Sequence, residues 1–272
     1  MSRGQSSPPL SQVSPLQLAV FQRYHERSLV RQFNAVRLAR SPRPDLTAIR
    51  QRPLIVYLNR ASWWDPLVCL QLASQQMPRR RHYAPIESEA LGSDAFFRRL
   101  GFFGIDPHNA RDARRFLEIS GQVLEQPEAT LWIAAAGSLS DPRERPLRPQ
   151  PALGHLASRL RHGVLLPLAI EYPFWTGRCP EALLRFGEEL AVEDAGMRAH
   201  DWNTVLAAHL EEAQDALAAA ALSRDPTHFE VLRGGGELAA GAGGIQQTWR
   251  RVREALRGRR LSSEPGDPQK SS

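Results

Sequence analysis

A chain of 272 residues fits one large α/β domain with extensions, because single cores stop growing near about 250–300 residues, and it is too long for a peptide-scale module. Its uncharged apolar stretches, such as Val164 to Ile170, fall well short of the ~18–20 residues that cross a bilayer, so no transmembrane helix is expected. Lys+Arg 35 against Asp+Glu 29 gives a net charge of +6, which favours a polyanionic partner, either nucleic acid or an acidic membrane face.

Lysine occurs only at Lys270, so arginine carries the basic excess. Its guanidinium forks onto phosphate oxygens, although a coding bias toward arginine produces the same skew. There is no basic stripe interleaved with aromatic residues and no zinc-finger or helix-turn-helix pattern, which argues against nucleic acid as the partner. Cys69 and Cys179 are too few for a disulfide framework and lack the Cys/His neighbours of a metal site, so the reducing cytoplasm is the expected compartment.

The stretch 1–14, rich in Ser, Gln and Pro, has no basic and apolar signal-peptide pattern and reads as a disordered lead. From Pro15 to Arg40, apolar residues recur near helical spacing among Arg23, Arg27, Arg31, Arg37 and Arg40, which predicts a basic amphipathic helix. Such a helix either lies on anionic lipid or covers the core that follows. Pro42 and Pro44 end it, so residues 15–44 form helix and connector.

Residues 45–225 alternate short apolar runs with helical stretches, the pattern of an α/β layer architecture. Strands are predicted at Leu54–Leu58, His82–Ile86, Phe102–Ile105, Thr130–Ala136, Val164–Tyr172 and Leu183–Gly187. Helices are predicted at Pro66–Ser74, Ser88–Leu100, Arg111–Glu125, His155–Arg161 and Asp201–Leu222, giving a central sheet flanked by helices. Residues 226–260 read as a Gly-rich segment and a basic helix, Gln246 to Arg257, and 261–272 as a disordered tail.

The densest cluster of unusual residues is Asn59-Arg60-Ala61-Ser62-Trp63-Trp64-Asp65-Pro66, at the carboxyl end of the first strong strand, where α/β folds place their sites. Taken alone, Asp65 before Pro66 reads equally as the start of a helix.

Four blocks in order, spanning about Leu54 to Leu190, resemble the glycerolipid acyltransferase family, whose best-known members acylate lysophosphatidic acid. Asn59, Ser62 and Asp65 match its Asn-His-x-Ser-x-x-Asp block, with the Trp63-Trp64 pair common there. Gly101-Phe102-Phe103-Gly104-Ile105-Asp106 resembles the second block. Ala134-Ala135-Ala136-Gly137-Ser138-Leu139 falls on Phe-Pro-Glu-Gly-Thr-Arg, and Leu165-Leu166-Pro167-Leu168-Ala169-Ile170 on the fourth block. The resemblance implies a central mixed sheet flanked by helices, glycerolipid-acyltransferase-like, with the amphipathic helix at its N-terminus.

It also implies a chemistry from which this sequence departs. In the family, a histidine five residues before the aspartate takes the acceptor hydroxyl's proton, and the aspartate orients it. Arg60 stands at that position, and a guanidinium does not give up its proton to act as a general base. Ala136 replaces the family's glutamate, Leu139 its phosphate-binding arginine, and Pro107 a basic residue often found there. His108, two residues after Asp106, is the best substitute base.

The resemblance therefore implies a peripheral membrane protein at the cytoplasmic, inner face. Acyl-CoA or acyl-carrier protein would be the acyl donor and membrane lipid the acceptor, with no bound cofactor, no metal and no nucleic acid. Transfer would be lost or strongly weakened; the alternative is an active O-acyltransferase using a different base. The expected catalytic positions are Asp65, Arg60 and His108. Asn59, Ser62, Trp63, Trp64, Phe103, Gly137 and Ser138 are the expected binding residues. Arg143 and Arg145, in the loop Asp141 to Arg148, either meet donor phosphates or form a solvated turn.

Overall fold

The computed structural model describes residues 13–91, 95–106, 109–193 and 196–234. The chain divides into two units, 1–239 and 240–272, and every described residue lies in the first. The Gln246 to Arg257 helix and both expected disordered ends lie outside the described residues, apart from Val13 and Ser14.

The elements in chain order are α1 (Pro15–Gln32), β1 (Ala35–Ala39), β2 (Leu54–Leu58), α2 (Asp65–Gln76), β3 (Arg81–Glu87), α3 (Ser88–Leu91), α4 (Ala95–Arg99) and β4 (Phe102–Ile105). They continue as α5 (Ala110–Leu124), β5 (Ala129–Ala134), α6 (Pro151–Arg159), β6 (Gly163–Glu171), β7 (Ala182–Phe186), β8 (Leu190–Val192), α7 (Ala199–Ser223) and, after a 3-10 turn at Pro226–His228, β9 (Phe229–Gly234). One mixed sheet runs β4-β3-β5-β2-β6-β7-β1-β9, with β8 also paired to β6.

The strands β4, β3, β5, β2 and β6 are mutually parallel, so their carboxyl ends share one edge. Strand β2, Leu-Ile-Val-Tyr-Leu, is buried throughout, as a central parallel strand covered on both faces must be. Ile55 and Tyr57 face a core shared with Phe116 of α5, Leu153 of α6 and Leu206 of α7. Strand alternation turns Leu54, Val56 and Leu58 to the other face. Pro167 sits in the middle of β6 without breaking it. On the side opposite β2, the neighbour changes there from β8, which ends opposite Leu165, to β7, which begins opposite Leu168, so the missing N–H falls in the gap.

The helix predicted to reach Arg40 ends at Gln32, and Ala35–Ala39 is a strand between β7 and β9. The chain is pulled out of the helix by Asn34, whose N–H donates to the Pro180 carbonyl at 2.9 Å and whose side chain donates to buried Glu181. Arg37 donates to the same carboxylate at 2.9 Å. Val36 and Leu38 are apolar at period two, and beside a helix this short signal merges with the helical period. The predicted Ser88–Leu100 helix is resolved as α3 and α4, with 92–94 outside the described residues.

Buried Arg80 fastens the connector before β2 to the sheet. Its Nε donates to Thr130 Oγ1 at 2.7 Å, Nη1 to the Ile49 and Arg50 carbonyls at 3.1 and 3.0 Å, and Nη2 to the Arg52 and Ala129 carbonyls at 2.7 and 2.5 Å. Burial pulls the guanidinium down to about 10, still cationic at neutral pH. Arg80→Met is expected to lower stability by about 3–5 kcal/mol, because it strands acceptors that water reaches poorly. Arg80→Lys should recover little, since an ammonium cannot reproduce the planar fork. Urea midpoints of the two variants check this.

Candidate functional site

The first block leaves β2 at the carboxyl edge, and its residues divide between holding the edge together and facing solvent. Asn59 is buried: its Nδ2 donates to the Ile170 carbonyl at 2.9 Å and its Oδ1 accepts from the Ile170 N–H at 2.8 Å. That reciprocal pair clamps β2 to β6 and commits the amide to structure. Ser62 and Asp65 close a turn on each other, with the Asp65 N–H donating to the Ser62 carbonyl at 3.2 Å and the Ser62 N–H to Asp65 Oδ2 at 3.1 Å. The Ser62 hydroxyl accepts from the Trp64 N–H at 3.3 Å.

Asp65 is 3% exposed and opens α2. Its Oδ1 accepts from the Tyr172 hydroxyl at 2.7 Å. Burial raises its carboxyl to about 6, against the lowering effects of Tyr172, the neighbouring amides and the Arg60 charge. Tyr172 stacks on Phe33 with ring centres 5.4 Å apart, and Phe33 meets Trp64 edge-on at 5.5 Å. An aromatic set from the end of α1, the start of α2 and the end of β6 thus closes over the acid. Among the described residues no imidazole hydrogen-bonds Asp65. The half-buried His82 is engaged elsewhere: it accepts from Trp132 Nε1–H at 3.2 Å through Nδ1, which places its proton on Nε2, facing the Met77 carbonyl at 3.1 Å.

Arg60 does not pair with Asp65; among the described residues no ion pair includes it. Its Nη1 instead donates to the Gly137 carbonyl at 2.7 Å, and its guanidinium lies over the Trp63 ring, 5.4 Å from the centroid. The Ser140 N–H donates back to the Arg60 carbonyl at 3.0 Å. The first and third blocks are therefore joined through the residue at the family's histidine position. Gly137 makes the turn possible: its φ is +78°, and a Cβ there would lie 1.8 Å from Gln150 Nε2.

Trp63 and Ser138 are exposed, as is Leu139, whereas Ala136 is half-buried. Phe103 is not brought to this cluster. It stacks on Phe116 at 6.3 Å as part of the core margin, on a strand three positions from β2, about 14 Å away at normal strand spacing. Arg143 is held by the Asp141 carboxylate through Nε at 2.9 Å and Nη2 at 2.8 Å, and Arg145 pairs with Asp215 at 2.5 Å and donates to two loop carbonyls. Both arginines thus have intramolecular partners at the loop surface. His108 lies outside the described residues. Sequence reasoning missed Tyr172, which carries no local signal beyond closing the fourth-block strand, 107 positions from its partner.

The acyltransferase family profile matches residues 34–171, half of the chain and all the blocks of this edge. The chain belongs to the acyltransferase family. Among solved structures the fold is similar to the 1-acyl-sn-glycerophosphate (LPA) acyltransferase PlsC from Thermotoga maritima, at 15% identity and a TM-score of 0.52, over 74% of this chain and 80% of that one. No curated protein matches the sequence. The glycerolipid-acyltransferase fold expected from the blocks is the fold found. Among the described residues no helix is long and apolar enough to cross a membrane.

The buried carboxyl of Asp65, when charged, costs folding energy. Because the folded carboxyl holds its proton up to about 6 while the unfolded one releases it near 3.8, Asp65 favours folding fully below the unfolded value. That contribution is lost as pH rises through about 6, amounting to about 3 kcal/mol. His82, lowered to about 4 by burial, acts oppositely: its contribution is present above its ordinary value and lost as pH falls through about 4. The stability of Asp65→Asn minus that of the parent isolates the acid. That difference should shift by about 2–2.5 kcal/mol in favour of the variant between pH 4 and 7 in urea titrations. A constant difference would mean that the acid titrates normally.

Proposed function

We propose that the chain is a membrane-surface member of the acyltransferase family that binds an acyl donor and a lipid acceptor at the carboxyl edge of its sheet, with transfer lost or strongly weakened. The observation that carries this reading is Arg60 at the histidine position, fixed to the Gly137 carbonyl and resting on Trp63, while the oxygens of Asp65 are turned inward to Tyr172 and Ser62. An acid 3% exposed does not reach an acceptor hydroxyl, and an arginine does not take its proton. Ala136 and Leu139 leave the turn after β5 without the carboxylate and cation of the family's block.

Thioester consumption, followed as free thiol with a long-chain acyl-CoA and lysophosphatidate, should stay near background. Arg60→His alone should gain little, because acceptor binding is still lacking. Arg60→His with Ala136→Glu and Leu139→Arg should gain about 10²-fold or more. Robust turnover by the unaltered chain would overturn the reading and point to a different base, with His108→Ala as the next variant; a folded but inert triple variant would place the divergence beyond these positions.

Membrane attachment is assigned to α1. Phe21, His25 and Leu29 are buried on one side, whereas Leu16 (75% exposed), Val20 (57%) and Tyr24 (38%) form an outward stripe beside exposed Arg23, Arg27 and Arg31. Apolar residues and arginines on one exposed face, with no acid among them, suit the head-group region of an anionic bilayer. The charge of α1 thus meets lipid through one face while the other covers the core. Leu16→Ser/Val20→Ser and Arg23→Gln/Arg27→Gln/Arg31→Gln should each reduce flotation with anionic vesicles. The parent's binding should fall as salt shortens the screening length from ~10 Å. These variants leave Phe21, Leu29 and β1 in place, so loss of folding does not imitate loss of binding.

A further inference from the structure

We propose that Arg60 is an anion-binding residue that holds the carboxylate or phosphate head of a single-chain amphiphile, with the tail lying along Trp63 and Leu139. This deepens the reading of the edge as a binding site without transfer, and rests on it.

Arg60 has five N–H donors, and the staple to Gly137 uses only one nitrogen, Nη1. Among the described residues Nε and Nη2 have no acceptor, and neither is among the buried polar atoms lacking partners, so both reach solvent. Among the described residues no carboxylate lies within ion-pair distance of the group, in contrast to Arg143 on Asp141 and Arg145 on Asp215. The two contacts that remain fix the guanidinium in place: one hydrogen bond of 2.7 Å and the Trp63 ring beneath it. A planar fork already held by two contacts loses little freedom when it takes up an oxyanion.

The acidic groups nearby are already engaged. Asp65 is buried, with both oxygens hydrogen-bonded. Glu171, raised chiefly by burial, interacts with the Arg143 and Arg145 charges. Beside the fork, Trp63 is 53% exposed and Leu139 39% exposed, and Leu139 precedes Ser140, whose N–H is bonded to the Arg60 carbonyl. An uncommitted cation next to exposed apolar surface matches a molecule with one anionic end and one apolar end. A residue serving only as a loop staple would need neither the free nitrogens nor the missing counter-ion.

The experiment compares three probes of equal chain length, dodecanoate, dodecyl phosphate and dodecanol, below their aggregation limits, by calorimetry and Trp fluorescence. The parent should bind both anions at least about 10-fold more tightly than the alcohol. Arg60→Gln removes the fork and is too short to keep the bond to the Gly137 carbonyl, so its urea midpoint is read alongside to show that it folds. It should lose about 10–100-fold in anion affinity, the worth of hydrogen bonds to a charged group, and leave dodecanol unchanged. Arg60→Lys, a point charge without the fork, should fall between. Preference for dodecanoate identifies a free fatty acid as the source of the anion, and preference for dodecyl phosphate a lysophospholipid-type head.

Equal affinity for all three probes, no measurable binding, or anion binding untouched in a folded Arg60→Gln would overturn the proposal. Acyl-CoA turnover is measured separately. Robust turnover with Arg60-dependent anion binding would overturn the loss of transfer alone, and background turnover with Arg60-independent binding would overturn the anion fork alone.

Discussion

Asp65 is a carboxyl group kept from water at the start of α2, and the arrangement of the carboxyl edge follows from satisfying its oxygens. One is taken by the turn that the acid itself closes with Ser62, and the other by the hydroxyl of Tyr172 at the end of β6. Those bonds offset only part of the desolvation, because the carboxyl stays raised. In place of an ion pair the fold supplies neutral donors and an aromatic cover, so the acid persists as a structural element of the edge. The Asn59 clamp on Ile170 brings β2 and β6 into the register that makes the Tyr172 bond possible.

The same contacts join the edge to the amino-terminal helix. Phe33, the residue that caps α1, touches both Trp64 and Tyr172, so the end of the helix and the hydrogen bond to the acid share one packed aromatic group. Asn34 and Arg37 then hold the following strand on Glu181. The helix therefore presents an apolar and basic stripe outward while its last turn is built into the edge, and a surface that engaged the stripe would lie in mechanical continuity with the acid.

Arg60, at the position where the resemblance places a histidine, links two parts of the edge. Arg60 reaches across to the third block, where Gly137, in a conformation that rejects a Cβ, offers its carbonyl. The interaction that links the two blocks is thus one that the imidazole is too short and too different in geometry to reproduce. In the neighbouring loop the arginine charges are met by intramolecular carboxylates, Arg143 by Asp141 and Arg145 by Asp215.

Much of the fold was legible in the sequence because its signals are local. Fully apolar runs such as Leu54–Leu58 mark buried parallel strands, proline and glycine mark where they stop, and the order of blocks fixes the family. What escaped was long-range. The strand Ala35–Ala39 is held by partners near positions 182 and 231, and β8 and β9 likewise gain their pairing from distant chain, so no window of sequence separates them from helix or loop. At the site, the sequence determined that an arginine and an aspartate, Arg60 and Asp65, follow the first strong strand. It could not say that the two do not pair, that Tyr172 takes the acid, that Phe103 packs on Phe116, or that the loop arginines already have partners. Those outcomes were decided by tertiary structure, because a hydrogen bond between residues 107 positions apart depends on strand register, which only the assembled sheet supplies.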